Sequence, residues 1–406
     1  MNNPFDSKPL YVMAKPAGSA CNLACSYCYY LDKRRFYGEE TCNKPFMSDE
    51  TLELYIKRYF EAQTASDVNF TWHGGEALLR PLSFYKKALE LQKKYAGGRR
   101  VLNCLQTNGT MLTEEWCRFL RDNQWLVGIS IDGPQEFHDE YRRSRDGKPS
   151  FLRVMSAIRM LNAHGVEWNA MAVINDYNAD HPEEFYEFFK SIGCRYIQFA
   201  PIVERLTDAD DIASPIESGK LADFSVSPEQ WGEFLCRLFD LWIKEDVGKV
   251  FIQLFDSTLA NWCGVPPGVC SLDKECGHAA VMEHDGNVYC CDHFVFPEYF
   301  LGNLRDKTFI EMMTSPKQLR FGAAKRLTLS KQCRECKWLF ACNGECPKNR
   351  IARTAANEPI NYLCAGYKRF FAHVAPYMDY MRDLLKAGLP PADIMSHLPL
   401  NQQPKS

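Results

Sequence analysis

The chain has no long apolar run. None of its 406 residues falls in a stretch near the roughly 18 consecutive apolar positions of a membrane span, which argues against a spanning helix. The opening Met1-Asn2-Asn3-Pro4-Phe5-Asp6-Ser7-Lys8 lacks the apolar centre of a secretory signal, so a cytoplasmic location is expected. Charge of one sign is also missing. Lys and Arg number 48 against 51 Asp and Glu, a formal −3, with no block of like charge. That argues against a nucleic-acid-binding surface. Neither a nucleic-acid nor a membrane partner is expected. Low-complexity segments and short internal repeats are absent.

Cysteine, by contrast, is plentiful, at 18 residues. In a reducing compartment a disulfide framework is disfavoured, so clustered cysteines point to metal or redox chemistry. Seven of them (Cys42, Cys104, Cys117, Cys194, Cys236, Cys263 and Cys290) stand outside any motif and read as small apolar residues. The other eleven fall into two groups.

The first group is Cys21-Asn22-Leu23-Ala24-Cys25-Ser26-Tyr27-Cys28, a C-x3-C-x2-C run directly after the apolar segment Leu10–Ala14. Three thiolates can hold three corners of an iron–sulfur cube and leave one iron open, as a catalytic site requires. A structural zinc site needs a fourth ligand close by, and the next cysteine, Cys42, is too distant. The second group reads Cys270, Cys276 and Cys291, then Cys333-x2-Cys336-x5-Cys342-x3-Cys346, then Cys364. Eight thiols suffice for two fully ligated cubes. A zinc ribbon on Cys333, Cys336, Cys342 and Cys346 would leave the other four unexplained.

Six short apolar runs alternate with helical patterns. The runs are Leu10–Ala14, Val68–Trp72, Val101–Leu105, Leu126–Ile131, Trp168–Ile174 and Tyr196–Ala200. Helices are predicted over Ser48–Gln63, Leu82–Tyr95, Thr113–Asp122, Ser150–His164 and His181–Ile192, with capping signals at Ser48, Thr113, Gly165 and Gly193. Such alternation predicts a parallel sheet of the α/β class. Six units are too few for an eight-stranded barrel, so a partial, open (β/α)6 barrel of TIM type is expected. Polar motifs follow the runs: Cys21–Cys28, His73-Gly74-Gly75-Glu76, Gln106-Thr107-Asn108-Gly109, Ser130-Ile131-Asp132-Gly133 and Asn175-Asp176. They would share the rim at the carboxyl ends of the strands. Further on, Gln230–Glu245 predicts an amphipathic helix burying Trp231, Phe234, Leu235, Leu238, Phe239 and Trp242. The expected organisation is a barrel over 1–204, a linker with helices over 205–264, a cysteine-rich domain over 265–370, and a last helix and tail over 371–406. The helix would end near Arg382–Ala387, and Pro399–Ser406 would be disordered.

With Tyr27 before its last cysteine, the first motif resembles the signature of the radical S-adenosylmethionine (radical SAM) superfamily. The resemblance implies a 4Fe–4S cluster on Cys21, Cys25 and Cys28 whose open iron chelates S-adenosylmethionine. It also implies that Gly74, Gly75 and Glu76 form the turn against the methionyl amino group. The second group resembles the SPASM extension of that superfamily. By that resemblance one auxiliary 4Fe–4S cluster would use Cys270, Cys276, Cys291 and Cys346. A second would use Cys333, Cys336, Cys342 and Cys364, making three clusters. Cys290 beside Cys291 leaves that ligand ambiguous.

Taken together, the pattern resembles the anaerobic sulfatase-maturating enzymes. In that family the Ser at position 130 would bind the methionyl or ribose portion of S-adenosylmethionine, and Arg142 its carboxylate. Asp292, in Cys290-Cys291-Asp292-His293, would be the base that takes the substrate proton. The implied reaction is radical oxidation of a Cys or Ser side chain in a C/S-x-P-x-R sulfatase motif to Cα-formylglycine. The substrate would be an unfolded sulfatase polypeptide with Tyr30 as a wall, and the donor a low-potential flavodoxin or ferredoxin. His73, His278 and His293 read as polar contacts or, for His293, a weaker base. An alternative is a SPASM enzyme that crosslinks another ribosomal peptide. Such enzymes commonly carry an N-terminal recognition domain, and only about 20 residues precede Cys21. A ferredoxin-like carrier would need neither a barrel nor an open three-cysteine site.

Overall fold

The computed structural model describes residues 10–37, 45–206 and 220–399. Cys42, the 207–219 part of the expected linker and the tail from 400 lie outside them. The chain divides into two compact units that interleave in sequence. The first is Met1–Ile131, His138–Trp168 and Cys276–Ala324; the second is Asp132–Phe137, Asn169–Glu275 and Lys325–Ser406.

Along the chain the strands of the first unit are β1 (Tyr11–Ala14), β2 (Asp67–Trp72), β3 (Arg100–Thr107) and β4 (Leu126–Ser130). The second unit follows with β5 (Trp168–Ile174), β6 (Tyr196–Pro201), β7 (Arg205–Leu206), β8 (Lys220–Leu221) and β9 (Phe251–Ile252). The first unit resumes with β10 (Ala279–Met282), β11 (Asn287–Tyr289) and β12 (Phe300–Asn303). In the first unit β1, β2, β3 and β4 pair parallel in that order. In the second, β6 lies parallel between β5 and β9, and β7 pairs antiparallel with β8. The parallel α/β sheet is as the alternation of runs predicts.

One strand was not expected. β10 comes from the cysteine-rich segment and pairs parallel with β1, matching Met13 to Val281 and Ala14 to Met282. β11 and β12 then continue antiparallel. Cys276–Ala324 falls within the first compact unit. Because β10 neighbours β1, it brings Asp292 to the strand end that precedes the Cys21–Cys28 loop.

The helices start where capping chemistry allows. Ser48 Oγ accepts from Thr51 N at 3.1 Å before the helix Asp49–Ala62, whose first turn is acidic. Thr113 does the same for Glu114–Asp122. Pro228–Glu245 begins with a capping box between Ser227 and Gln230. Its six predicted apolar residues are all buried. The first unit's core is aromatic: Trp72 packs on Tyr85 and Trp125, with ring centroids 5.7 and 6.5 Å away.

The last helix is longer than expected. It runs Cys364–Lys386, 23 residues, with Pro376 inside it. That proline reads as a break in the sequence. In the second unit this helix packs on Pro228–Glu245 through Gly366 and Gly232. A Cβ on Gly366 would meet Pro228 O at 2.4 Å, so only glycine permits the approach. No helix among the described residues is long and apolar enough to cross a membrane.

Candidate active site

The first unit gathers the site on the loops after its parallel strands. Lys15 directly follows β1 and its side chain is fully buried. Its Nζ lies 2.7 Å from Asp292 Oδ1 and 3.2 Å from His73 Nδ1, and sits over the Tyr30 ring at 4.1 Å. Tyr29 OH donates to the other carboxylate oxygen of Asp292 at 2.5 Å. Burial alone would raise the Asp292 carboxyl. Lys15, with His73 and His293, outweighs it and holds the group well below the usual carboxylate range. Asp292 is thus a partly buried carboxylate, 17 % exposed, held toward its ionised form by the ammonium beside it.

His73 follows β2. Burial, and then Lys15, lower its pKa to about 4, against the pull of Asp292. The imidazole is therefore neutral near pH 7. Gly74 and Gly75 come next. Gly75 N donates to Gly18 O at 2.7 Å, and Glu76 N to Ala20 O at 2.8 Å. A Cβ on Gly75 would stand 2.1 Å from Ala20 O. Glycine here lets the β2 loop press against the segment that leads into Cys21. Glu76 is buried and accepts from Leu78 N, Thr107 Oγ1 and Asn108 N, so its carboxylate is spent on holding the turn.

Cys21, Cys25 and Cys28 sit on that loop, which is pinned by Ala24 N to Arg143 O and by Arg145 Nε to Cys21 O. Burial pushes the Cys21 thiol up to about 11, against hydrogen bonds from Leu23 N and, more weakly, Asn108. Burial also raises Cys28, whose sulfur accepts from the Tyr30 and Leu31 amides. Amides aimed at sulfur suit a thiolate better than a thiol, and a bound metal makes the thiolate. The donor set therefore fits a metal cluster. Among the described residues no three or more His, Cys, Asp or Glu side chains gather to hold a single ion. Ligands of a four-iron cube stand further apart than those of one ion, so the cluster assignment rests on the motif.

Tyr27 is buried against Tyr141, at 5.7 Å between centroids, and the guanidinium of Arg142 lies 5.5 Å from its ring. Ser130 ends β4 and accepts from Gln106 Nε2 at 3.1 Å. Tyr30, expected as a wall for the peptide, is only 3 % exposed. Its ring lies beneath Lys15 and its hydroxyl donates to the buried Glu283. The tyrosine that reaches Asp292 is its neighbour Tyr29.

The other thiols divide between the units. Cys276 and Cys291 lie in the first, Cys270 and Cys346 in the second. Cys333, Cys336, Cys342 and Cys364, all in the second unit, line one pocket with Trp338 and Tyr367. Four cysteines lining one apolar pocket are the number a fully ligated cluster needs. The Cys270 loop is tied down by Lys325, whose buried ammonium donates to Cys270 O and Ser271 O at 2.6 and 2.7 Å. Cys290 is wholly buried whereas Cys291 is partly exposed, as alternation along the chain dictates. No disulfide joins any of the described cysteines.

Sequence reasoning missed Lys15 and Tyr29. The one available signal was a lysine directly after an apolar strand, on the rim that carries every other motif.

Comparison with known proteins agrees with this geometry. The Radical SAM superfamily model matches residues 16–189, and the SPASM iron–sulfur cluster-binding domain model matches 274–337. A serine-type anaerobic sulfatase-maturating enzyme of Bacteroides thetaiotaomicron is 64 % identical over 97 % of this chain and 96 % of its own. This chain belongs to the anaerobic sulfatase-maturating enzymes. A cysteine-type member from Clostridium novyi is 34 % identical over 93 % of this chain and 98 % of its own. The solved structure of native anSMEcpe with bound AdoMet and Cp18Cys peptide superposes with a TM-score of 0.81. It is 33 % identical and covers 92 % of this chain and 99 % of that one. Like other members of the family, this chain is a radical S-adenosylmethionine enzyme with an iron–sulfur SPASM region.

Proposed function

We propose that this sulfatase-maturating enzyme oxidises a seryl side chain to Cα-formylglycine, with Asp292 as the base. The pairing of Asp292 with the buried Lys15 carries the assignment of the base, because it favours an ionised carboxylate on the rim beside the Cys21–Cys28 loop. Serine rather than cysteine is favoured by the 64 % identity to a serine-type enzyme, against 34 % to a cysteine-type one.

Cys21, Cys25 and Cys28 would hold a 4Fe–4S cluster that, with S-adenosylmethionine bound, supplies a 5′-deoxyadenosyl radical to take a hydrogen atom from the substrate Cβ. Tyr27 packs behind the cluster loop. Gly74 and Gly75 give the methionyl group close access to backbone, and Glu76 fixes their turn. Ser130 would meet the ribose or methionyl portion, and Arg142 the carboxylate. Asp292 accepts the hydroxyl proton. It is a weak base, but a hydroxyl whose carbon is being oxidised to a carbonyl is far more acidic than an ordinary alcohol. Lys15 and Tyr29 fix the carboxylate in place for that transfer.

Two auxiliary 4Fe–4S clusters would complete three in all, and would supply the one-electron acceptor that the substrate radical still needs to become the aldehyde. Cys270, Cys276, Cys291 and Cys346 would hold one, and Cys333, Cys336, Cys342 and Cys364 the other. The burial of Cys290 supports Cys291 as the ligand. The substrate is an unfolded sulfatase segment with a C/S-x-P-x-R motif, modified in the cytoplasm before export. A flavodoxin or ferredoxin supplies low-potential electrons. The functional regions are the barrel through 204, the 205–264 connection, the SPASM region over 265–370 and the final 371–406 segment.

The test is anaerobic turnover of cluster-reconstituted enzyme on two peptides that differ only in Ser or Cys at the target. Aldehyde and 5′-deoxyadenosine are read by mass spectrometry. Aldehyde formed preferentially from the Ser peptide is expected. Deoxyadenosine without aldehyde on either peptide would refute the maturation reading.

A further inference from the structure

We infer that His73 is the residue that selects a substrate oxygen over a sulfur, by donating its Nε2–H to the side chain whose proton Asp292 accepts. The inference rests on the maturation reading above and adds a specificity element to it.

The geometry favours one tautomer. Gly74 N donates to His73 Nδ1 at 2.7 Å, and Lys15 Nζ lies 3.2 Å from the same nitrogen. Gly74 O also lies 3.2 Å from Nδ1, but the Gly74 N–H is closer and an ammonium cannot accept, so the two donors favour a bare Nδ1 with the ring proton on Nε2. Among the described residues Nε2–H has no hydrogen-bond partner; every polar contact of this ring is made through Nδ1. His73 thus offers one free N–H donor.

Its place points to the substrate. The Lys15 ammonium lies 3.2 Å from His73 Nδ1 and 2.7 Å from Asp292 Oδ1, so the imidazole ring and the carboxylate flank one ammonium. Both lie on the rim with the Cys21–Cys28 loop and the Gly74-Gly75 turn. Burial and the neighbouring lysine keep the ring neutral, with a pKa near 4.

A serine hydroxyl uses both groups. It donates to Asp292 and accepts from His73 Nε2–H. A thiol donates weakly and its sulfur accepts weakly, so His73 gains little from it. Sites that hydrogen-bond a substrate hydroxyl discriminate well against analogues that lack one, because the partner would otherwise stay unpaired. No atom of His73 needs to enter the bond changes; it binds the oxygen.

The experiment compares wild type, His73→Gln and His73→Leu as full-length, cluster-loaded enzyme. Each is assayed on Ser and Cys versions of one sulfatase-motif peptide. The Ser-to-Cys ratio of kcat/KM is expected to fall at least about tenfold in His73→Leu. It should recover in part in His73→Gln, which keeps an N–H donor. A second readout needs no turnover. Without reductant, fluorescence anisotropy should show wild type binding the Ser peptide more tightly than its Ala version, a preference lost in His73→Leu. An unchanged ratio, with both peptides slowed equally or neither slowed, would overturn the inference while leaving the maturation reading intact. Wild-type enzyme that forms no aldehyde from either peptide would instead defeat the maturation reading itself.

Discussion

The ammonium of Lys15 lies 2.7 Å from Asp292 Oδ1, with the lysine side chain completely buried. A buried charge is costly unless paired, and here each charge is the other's partner. Replacing Lys15 by Met should therefore do two things. It should strand Asp292 and lower stability by about 3 kcal/mol. It should also let burial raise the carboxyl, so that formylglycine formation falls by roughly tenfold or more at neutral pH. Chemical denaturation and peptide turnover check both. A variant with unchanged stability and rate would show that the pair does not hold the carboxylate.

His73 gives stability a pH dependence of known sign. Its folded value, about 4, lies below the ordinary value of 6.5. The unfolded chain then binds more protons than the folded one between those values, so stability is full above about pH 6.5 and declines as pH falls toward 4. Thermal unfolding from pH 7.5 to 5.5 should show this decline in wild type. His73→Gln should show a shallower one. Equal slopes would contradict a neutral His73 in the fold.

Gly75→Ala should remove S-adenosylmethionine cleavage. The added Cβ would fall 2.1 Å from Ala20 O, on the segment that leads into Cys21. Either the β2 loop or the cysteine loop must shift. A loss of at least about tenfold in reductive cleavage is expected, since misplacement on the order of 1 Å can cost about a hundredfold. Retained cleavage would show that the two loops need not touch.

The cluster count is open to direct assay. Reconstituted enzyme should carry about twelve irons per chain, and about eight after Cys21, Cys25 and Cys28 are all changed to Ala. Cys333→Ala should disturb one auxiliary cluster and leave the absorption of the others. About eight irons in wild type would remove one auxiliary cluster.

Much of the fold was legible from period and caps. The six apolar runs are β1 to β6 within a residue or two at most ends. What the sequence did not show was long-range pairing. Nothing local in Ala279–Met282 says that it lies beside β1, and Pro376 disguises a 23-residue helix. In the site, the motif residues were readable because chemistry fixes their spacing. Lys15 was not, because a lone lysine after a strand reads as a solvated charge until the fold buries it against Asp292. Tyr29 was passed over for Tyr30 because only the fold decides which of two adjacent rings turns toward the carboxylate. His73 reads in the sequence as a plain polar contact, since its tautomer depends on neighbours that only the fold supplies.

The most direct measurement is anaerobic turnover of a Ser peptide by Asp292→Asn enzyme, with aldehyde and 5′-deoxyadenosine quantified together. Asn keeps the shape of Asp292 but cannot take a proton. Deoxyadenosine should still form while the aldehyde is lost, by about a hundredfold or more for a missing general base. Aldehyde formed at the wild-type rate would contradict Asp292 as the base.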